Sequence, residues 1–289
     1  MTPNELLEGV ITQLFNTPIG KNGSIESISG GCINHAGKFE HEGKNYFLKW
    51  NQNAQDLFEK ERMGLEILED AKCLRIPKIV GCGQVHQFDF LCLEYISQIN
   101  SSKQYWEKFG TELSNLHKET ADYFGLKFDN HIGRLHQTNT EHKLWEDFFI
   151  QERLVPQVNI ALNKGLLNTK QANEFDMFYE LVPDFFPKET PALLHGDLWS
   201  GNIICGENNL PYLIDPAVYY GHREMELAFT QLFGGFDKIF YDAYHASYPL
   251  EKEFNKRVEI YNLYPLLVHL NLFGTSYLAQ IVSTLKRFI

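Results

Sequence analysis

The dominant apolar period of this chain changes at the polar stretch 97–103, and that change restricts the fold more than any other feature. Before it the spacing is mostly two. Residues 24–29, 36–41 and 44–50 alternate, with Glu42-Gly43 as a hairpin turn between the last two runs. Residues 55–70 break the alternation with Leu57, Glu61, Leu65 and Leu68 at helical spacing. After Ile76-Pro77, the stretches 78–85 and 88–96 read as strands again. Beyond 103 the period lengthens: Trp106, Phe109, Leu113 and Leu116 mark an amphipathic helix, and 141–165 and 170–182 read as others. A strand island at 191–214 interrupts them, and helical patterns resume from about 223 to the end. The expectation is an α+β chain of two lobes: a small β-rich lobe over 1–96 and a larger, mainly helical lobe over 97–289. An active site is expected in the cleft between them.

Bulk composition narrows the class. With 289 residues, 44% of them hydrophobic and 22% charged, the chain has ample apolar material for a core. Its 26 basic against 37 acidic side chains give a net charge of −11. Such a surface repels phosphate backbones and anionic lipid, which argues against nucleic-acid and membrane partners. Five cysteines (Cys32, Cys73, Cys82, Cys92 and Cys205) form no CxxC pair. That pattern fits neither a zinc site nor a disulfide framework and predicts a reducing, cytoplasmic setting. The opening MTPNELLEGV carries no basic or apolar signal segment. The most apolar run, 263–285, is interrupted by His269, Asn271 and Gln280, and it reads as a buried helix pair rather than a membrane span.

One local pattern carries chemistry. His195-Gly196-Asp197-Leu198-Trp199-Ser200-Gly201-Asn202 is followed by Ile214-Asp215-Pro216, with short strand-like flanks. These flanks are expected to hold Asp197, Asn202 and Asp215 at the ends of neighbouring strands, facing one cavity. Phosphoryl transfer from ATP uses such a set: one carboxylate accepts or orients the hydroxyl proton, while an amide oxygen and a second carboxylate hold Mg2+ against the phosphates. The competing reading makes HGD and GN plain turn residues and Asp215 a cap. The register of all eight residues with the downstream aspartate favours the chemical reading. Gly30-Gly31 lies between two strand candidates, as a kinase glycine loop does, and no Walker A sequence is present. Glycine pairs are also ordinary hairpin residues. Lys49 stands near the end of the following strand, where a phosphate-binding lysine belongs, although a lone strand lysine is more often simply exposed. Glu61 shares its stripe with Leu57, Leu65 and Leu68. A buried carboxylate needs a partner, for which Lys49 is the candidate; a Glu at the edge of the stripe is the alternative.

At the level of whole motifs the chain resembles the fructosamine kinases (ketosamine-3-kinases), members of the protein-kinase-like phosphotransferases. The likeness runs through GGCINHA at 30–36, FLKW at 47–50, FEKERMGL at 58–65 and LCLEYI at 91–96. It continues with HIGRLHQTN at 131–139, LWEDFFIQERL at 144–154, LLHGDLWSGN at 193–202 and DPAVYYGHRE at 215–224. LFGGF at 232–236 and LYPLLVHLNLFGTSY at 263–277 complete it.

The resemblance implies a two-lobed protein-kinase-like fold and phosphorylation of the third-carbon hydroxyl of a ketoamine, the adduct of a reducing sugar with an amine. The product sheds the amine, so the outcome is deglycation. Position by position, Asp197 becomes the catalytic base, Asn202 and Asp215 the metal ligands, and Lys49 the ATP-phosphate lysine paired with Glu61. Gly30 and Gly31 form the loop over the phosphates, and Glu94, Tyr95 and Ile96 the hinge whose backbone meets adenine. His195 and Trp199 fall at the substrate. The Trp199 face suits ring carbons or a protonated amine, with a core tryptophan as the equal alternative. Glu226 stands where the family pattern leads one to expect Asp before Leu-Ala; its longer stem could hold the same hydrogen bonds. Cys32 matches a cysteine associated with redox sensitivity in some members, which implies a switch through an intermolecular disulfide; a small apolar filler is the other reading.

The expected cofactors are ATP and Mg2+, and the expected partner is a small-molecule or protein-bound ketoamine, with the chain a monomer unless Cys32 links two copies. Two other readings share some of these residues. A related small-molecule kinase, acting on an aminoglycoside, choline or another amino sugar, would have the same HGD and metal aspartate; the motifs at 131–139, 215–224 and 263–277 argue against it. A pseudokinase predicts loss of the base, a metal ligand or the lysine, yet Asp197, Asn202, Asp215 and Lys49 are all present.

Overall fold

The computed structural model describes residues 2–17, 24–28 and 34–289. The chain divides into two compact units. The first combines Met1–Ser102 with Ile203–Asp215. Its centre is an antiparallel sheet in the order β1-β2-β3-β5-β4, built from β1 (Glu26–Ser27), β2 (His35–His41), β3 (Lys44–Gln52), β4 (Ile79–Val85) and β5 (Phe88–Glu94). The β2–β3 turn is Glu42-Gly43, both at positive φ (51° and 75°), a conformation that glycine adopts without strain.

Helix α1 (Pro3–Phe15) packs Leu6, Leu7, Val10 and Ile11 with Phe39, Leu48, Phe90 and Cys92 in a closed core. This is a second helix in a segment expected to hold one. Its start is written in Thr2 and Glu5, whose side chains each accept the other's backbone N–H, with Pro3 opening the first turn. Helix α2 (Gln55–Ala71) packs on β4 and β5 and buries Phe58, Leu65 and Leu68. Side chains alternate across a strand, so Leu48, Phe90 and Cys92 face α1 whereas Lys49, Leu91 and Leu93 face α2.

The hairpin of β9 (Ile203–Gly206) and β10 (Leu210–Leu213) belongs to this unit despite its distance in sequence. Leu213 N–H donates to the Arg75 carbonyl (2.9 Å) and Ile99 N–H to the Cys205 carbonyl (2.8 Å). A single cut along the chain therefore does not describe which residues pack together.

The second unit, Lys103–Asn202 with Pro216–Ile289, is mainly helical, as expected. Its helices are α3 (Lys103–Leu116), α4 (Trp145–Phe148), α5 (Val155–Asn163), α6 (Thr169–Tyr179), α7 (Arg223–Leu232), α8 (Lys238–Ser247), α9 (Phe254–Tyr261), α10 (Leu263–Phe273) and α11 (Leu278–Phe288). Two short ladders join them: β6 (Asn130–Ile132) with β7 (Leu135–Gln137), and β8 (Ala192–Leu194) with β11 (Tyr219–Gly221). The helix expected over 141–165 starts at Trp145 and widens into a π-helical stretch, Phe149–Leu154, before α5. Pro156 supplies the reason: it has no N–H to give to a carbonyl of the preceding turn, so the ladder changes register there. The strands before Asp197 and Asp215 are not sheet neighbours, contrary to expectation, because β8 pairs with β11 and β10 with β9. The run 263–285 forms the expected helix pair, with α10 buried along most of its length. Among the described residues no helix is long and apolar enough to cross a membrane.

Candidate active site

In the first unit a lysine on β3 meets a carboxylate on α2 and another after β10. Lys49 Nζ lies 2.7 Å from Glu61 Oε1 and 2.5 Å from Asp215 Oδ1. The strand parity that turns Lys49 toward α2 and the stripe position of Glu61 bring the first pair together. Asp215 enters from the hairpin, with its backbone at φ 56°, a left-handed conformation that Asp tolerates better than most residues. The side chains of Lys49 and Glu61 are 7% and 10% exposed, that of Asp215 38%. Burial alone would lower the Lys49 ammonium, but the Asp215 and Glu61 carboxylates outweigh it and hold the pKa above the usual lysine value. Burial pushes the Glu61 carboxyl up, against the pull of Lys49. Two carboxylates on one ammonium leave surplus negative charge, reachable from solvent at Asp215. An oxygen of this kind is what a hydrated divalent cation binds. At the end of β5, Glu94 N–H donates to the Lys78 carbonyl (2.8 Å) and Tyr95 N–H to the Asn45 carbonyl (3.2 Å), which pins the start of the 94–96 segment.

In the second unit the loop after β8 is held from behind. Asn202 Nδ2 donates to the Asp197 carbonyl (2.8 Å) and to Asp197 Oδ2 (3.0 Å), tying the aspartate to the end of its own loop. The Gly196 N–H donates to Glu226 Oε1 (2.7 Å) and the His195 N–H to Glu226 Oε2 (3.3 Å). His117 Nε2 pairs with the same carboxylate at 2.9 Å. Burial by itself would raise the Glu226 carboxyl; the His117 bond, the neighbouring histidines and the Gly196 N–H together hold it below its ordinary value. Gly196 sits at φ 85°, and a Cβ there would lie 2.0 Å from the Ala217 carbonyl oxygen, so only glycine fits. A small, largely apolar pocket has Asp197 on its wall, with Ile132, Leu194, Phe229, Tyr264 and His269 among its lining.

His195, expected at the substrate, is fully buried (0% exposed), and its Nδ1 accepts the Asp197 N–H at 3.3 Å. A side chain enclosed in this way braces the loop from within. Trp199 is half-buried: its ring lies over Gly201, where an added Cβ would come within 2.4 Å, and edge-on to Phe233 at 6.3 Å. Gly30, Gly31 and Cys32 lie outside the described residues. Sequence reasoning passed over His117, whose only signal is a histidine at the end of the apolar stripe of α3. Among the described residues no three His, Cys, Asp or Glu side chains gather into a metal-ligating cluster.

The profile of the family described as fructosamine kinase matches residues 7–289. The chain belongs to the fructosamine kinase family. A relative named "probable ketoamine kinase" from Enterococcus faecium is 38% identical over 270 residues, covering 92% of this chain and 96% of its own. "Protein-ribulosamine 3-kinase, chloroplastic" from Arabidopsis thaliana is 32% identical over 302 residues, covering 100% of this chain and 89% of its own. The crystal structure of a "putative fructosamine-3-kinase" from Haemophilus somnus aligns with a TM-score of 0.87 at 27% identity, over 98% of this chain and 96% of that one. Spectinomycin phosphotransferase, solved with ADP and spectinomycin, aligns with a TM-score of 0.61 at 16% identity over 98% and 93% of the two chains, a likeness of fold alone. The fold is that of the protein-kinase-like phosphotransferases. Like the rest of the fructosamine kinase family, the chain is an ATP-dependent phosphotransferase.

Proposed function

We propose that this fructosamine kinase phosphorylates the third-carbon hydroxyl of ketoamines, fructosamine or ribulosamine adducts, at the expense of ATP, and so frees the amine. The substrate class rests on the family match over 7–289 together with relatives named for ketoamine and ribulosamine. The observation that carries the chemistry is the Asp197 carboxylate, tethered by Asn202 and aimed by a loop whose backbone is clamped at Gly196. Asp197 accepts the proton of the attacking hydroxyl, and the fixed loop keeps that oxygen in line with the bond to be broken. Lys49, kept charged by Asp215 and Glu61, meets the ATP phosphates. Asn202 and Asp215 are the residues we assign to hold Mg2+; with Nδ2 spent on Asp197, Asn202 has its amide oxygen for that purpose. Mg2+, when bound, neutralises charge that builds on the transferring phosphoryl group. With the Glu94 and Tyr95 N–H groups spent within the first unit, the Ile96 N–H is the donor we assign to adenine. Trp199 offers its half-buried face to the sugar or its amine.

The setting we propose is a cytoplasmic monomer, in keeping with four free thiols among the described residues. A Cys32 disulfide between two copies is the regulation implied by the resemblance. It would show as a covalent dimer on a non-reducing gel after mild peroxide, with activity lost and then restored by thiol; neither change on oxidation removes it.

The test of function is ATP consumption by the purified protein with Mg2+ on fructose-lysine, ribulose-lysine, choline and an aminoglycoside, with Asp197→Asn as control. Turnover on either ketoamine, absent in the variant, supports the reading. Turnover on choline or the aminoglycoside alone keeps the chemistry and overturns the substrate.

A further inference from the structure

Behind the pocket wall of the second unit runs a chain of buried amides that the roles above leave unused. Gln137, 2% exposed at the end of β7, accepts the Tyr264 hydroxyl on Oε1 (2.5 Å). Its Nε2 donates to Asn130 Oδ1 (2.8 Å) and to the Ala217 carbonyl (3.1 Å). Asn130 Nδ2 donates to the Val218 carbonyl (2.8 Å), and its Oδ1 also accepts from Asn139 Nδ2 (3.0 Å). Asn139 Oδ1 in turn accepts from Arg153 Nη2 (2.7 Å), whose guanidinium lies 4.0 Å from the Tyr219 ring centroid and 4.4 Å from that of Phe148.

Gln137 reaches the candidate site on two sides. Tyr264, and Ile132 on the same hairpin as Asn130 and Gln137, line the pocket that has Asp197 on its wall. On the side of its Nε2, the Ala217 N–H donates to the His195 carbonyl (2.9 Å), and the Ala217 carbonyl stands against Gly196. The Ala217 peptide is therefore held on one side by Gln137 and holds, on the other, the backbone just before Asp197. Apolar side chains would fill this volume without the cost of desolvating amides, and a buried polar network earns its place only when it fixes one arrangement.

We propose that Gln137 is a positioning residue: through the Ala217 peptide it fixes the His195-Gly196 backbone that aims Asp197, and through Tyr264 it locks the pocket wall to the same frame. The catalytic half of this statement rests on Asp197 as the reacting carboxylate; the structural half does not.

Gln137→Met keeps the length of the side chain and removes its donors and acceptor, and Tyr264→Phe removes the hydroxyl alone. Asn271→Leu serves as the control, a buried amide of the same unit that bonds Gln157 at 2.9 Å and does not line the pocket. The readouts are hydrogen exchange at the His195, Gly196 and Asp197 amides, melting temperature, and kcat and KM for both substrates. Gln137→Met is expected to speed exchange at those amides and to lower kcat about tenfold with KM for ATP little changed, because small misplacements near the chemistry are amplified in rate. Tyr264→Phe should move both in the same direction by less, and it carries the test alone if Gln137→Met does not fold. Asn271→Leu should move neither readout beyond its effect on melting. Loss of activity that merely tracks melting temperature in all three, with loop exchange unchanged, overturns the proposal. If the native protein turns over no ketoamine, the functional reading fails, and the exchange pattern still decides whether Gln137 holds the loop.

Discussion

Lys49 illustrates how much a single side chain is asked to do. Its ammonium answers two carboxylates, and removing it leaves both without their cation. Breaking a buried pair costs about 3–5 kcal/mol, and the 38% exposure of Asp215 places this case toward the lower end, since water screens that oxygen. Lys49→Met is therefore expected to lower the melting temperature and to raise KM for ATP; unchanged values in both would exclude the phosphate role. Asp197→Asn keeps the shape of the loop and loses the proposed proton acceptor. Turnover should fall by roughly two or more orders of magnitude with ATP binding nearly intact, and calorimetry beside a rate assay checks both halves. Glu226 makes a pH prediction. Its folded pKa is depressed below the ordinary 4.5, so its contribution to stability is present above that value and is lost as pH falls through the folded pKa. As pH falls from about 5 through the folded pKa, thermal melts of the native protein should lose more stability than those of Glu226→Gln; parallel curves would show that the carboxylate is not preferentially ionised in the fold. At this scale the Lys49–Glu61 pairing was legible, because helical spacing put Glu61 on an apolar stripe that only a cation could neutralise. The burial of His195 was not, because a turn hides which of its side chains points inward.

At the scale of elements, the loop after β8 depends on a residue with no side chain. Gly196→Ala imposes about 1–3 kcal/mol of backbone strain at φ 85° in addition to the clash with Ala217, so the variant should melt lower and lose turnover together. Retained turnover in that variant would mean that the loop has another productive conformation. Helix α1 was legible and missed: Thr2, Pro3 and Glu5 spell a capping box, and its apolar face covers one side of the sheet. Thr2→Ala should cost about 1 kcal/mol of stability, read by denaturant titration, with kinetics untouched. The β6–β7 hairpin, by contrast, gave little warning. Three-residue strands are too short for alternation to register, and only Gly133 at positive φ marks the turn. The π-helical stretch before Pro156 falls between these cases, since the proline is visible in the sequence but the register it forces is not.

For the whole molecule, the surplus of acidic side chains limits partners, while the local surplus at Asp215 invites a cation. Chelation of Mg2+ with EDTA should abolish ketoamine-dependent ATP consumption and leave the far-UV circular dichroism unchanged; activity that survives chelation would remove the metal role of Asn202 and Asp215. The sequence by itself determined the class of architecture, most helices and the β2–β3 hairpin, and the residue types of the proposed phosphotransfer set. Period, caps and turn residues act over a few neighbouring positions, and a reader of the sequence sees those positions together. Only the tertiary structure decided that 203–215 packs with the first unit, that β8 pairs with β11, and that Asp215 shares Lys49 with Glu61. It also decided that Glu226 and His117 stand behind the loop of Asp197. Each of these joins segments far apart in the chain. Such contacts are selected by the burial and hydrogen-bond satisfaction of the whole fold, which no local spacing encodes.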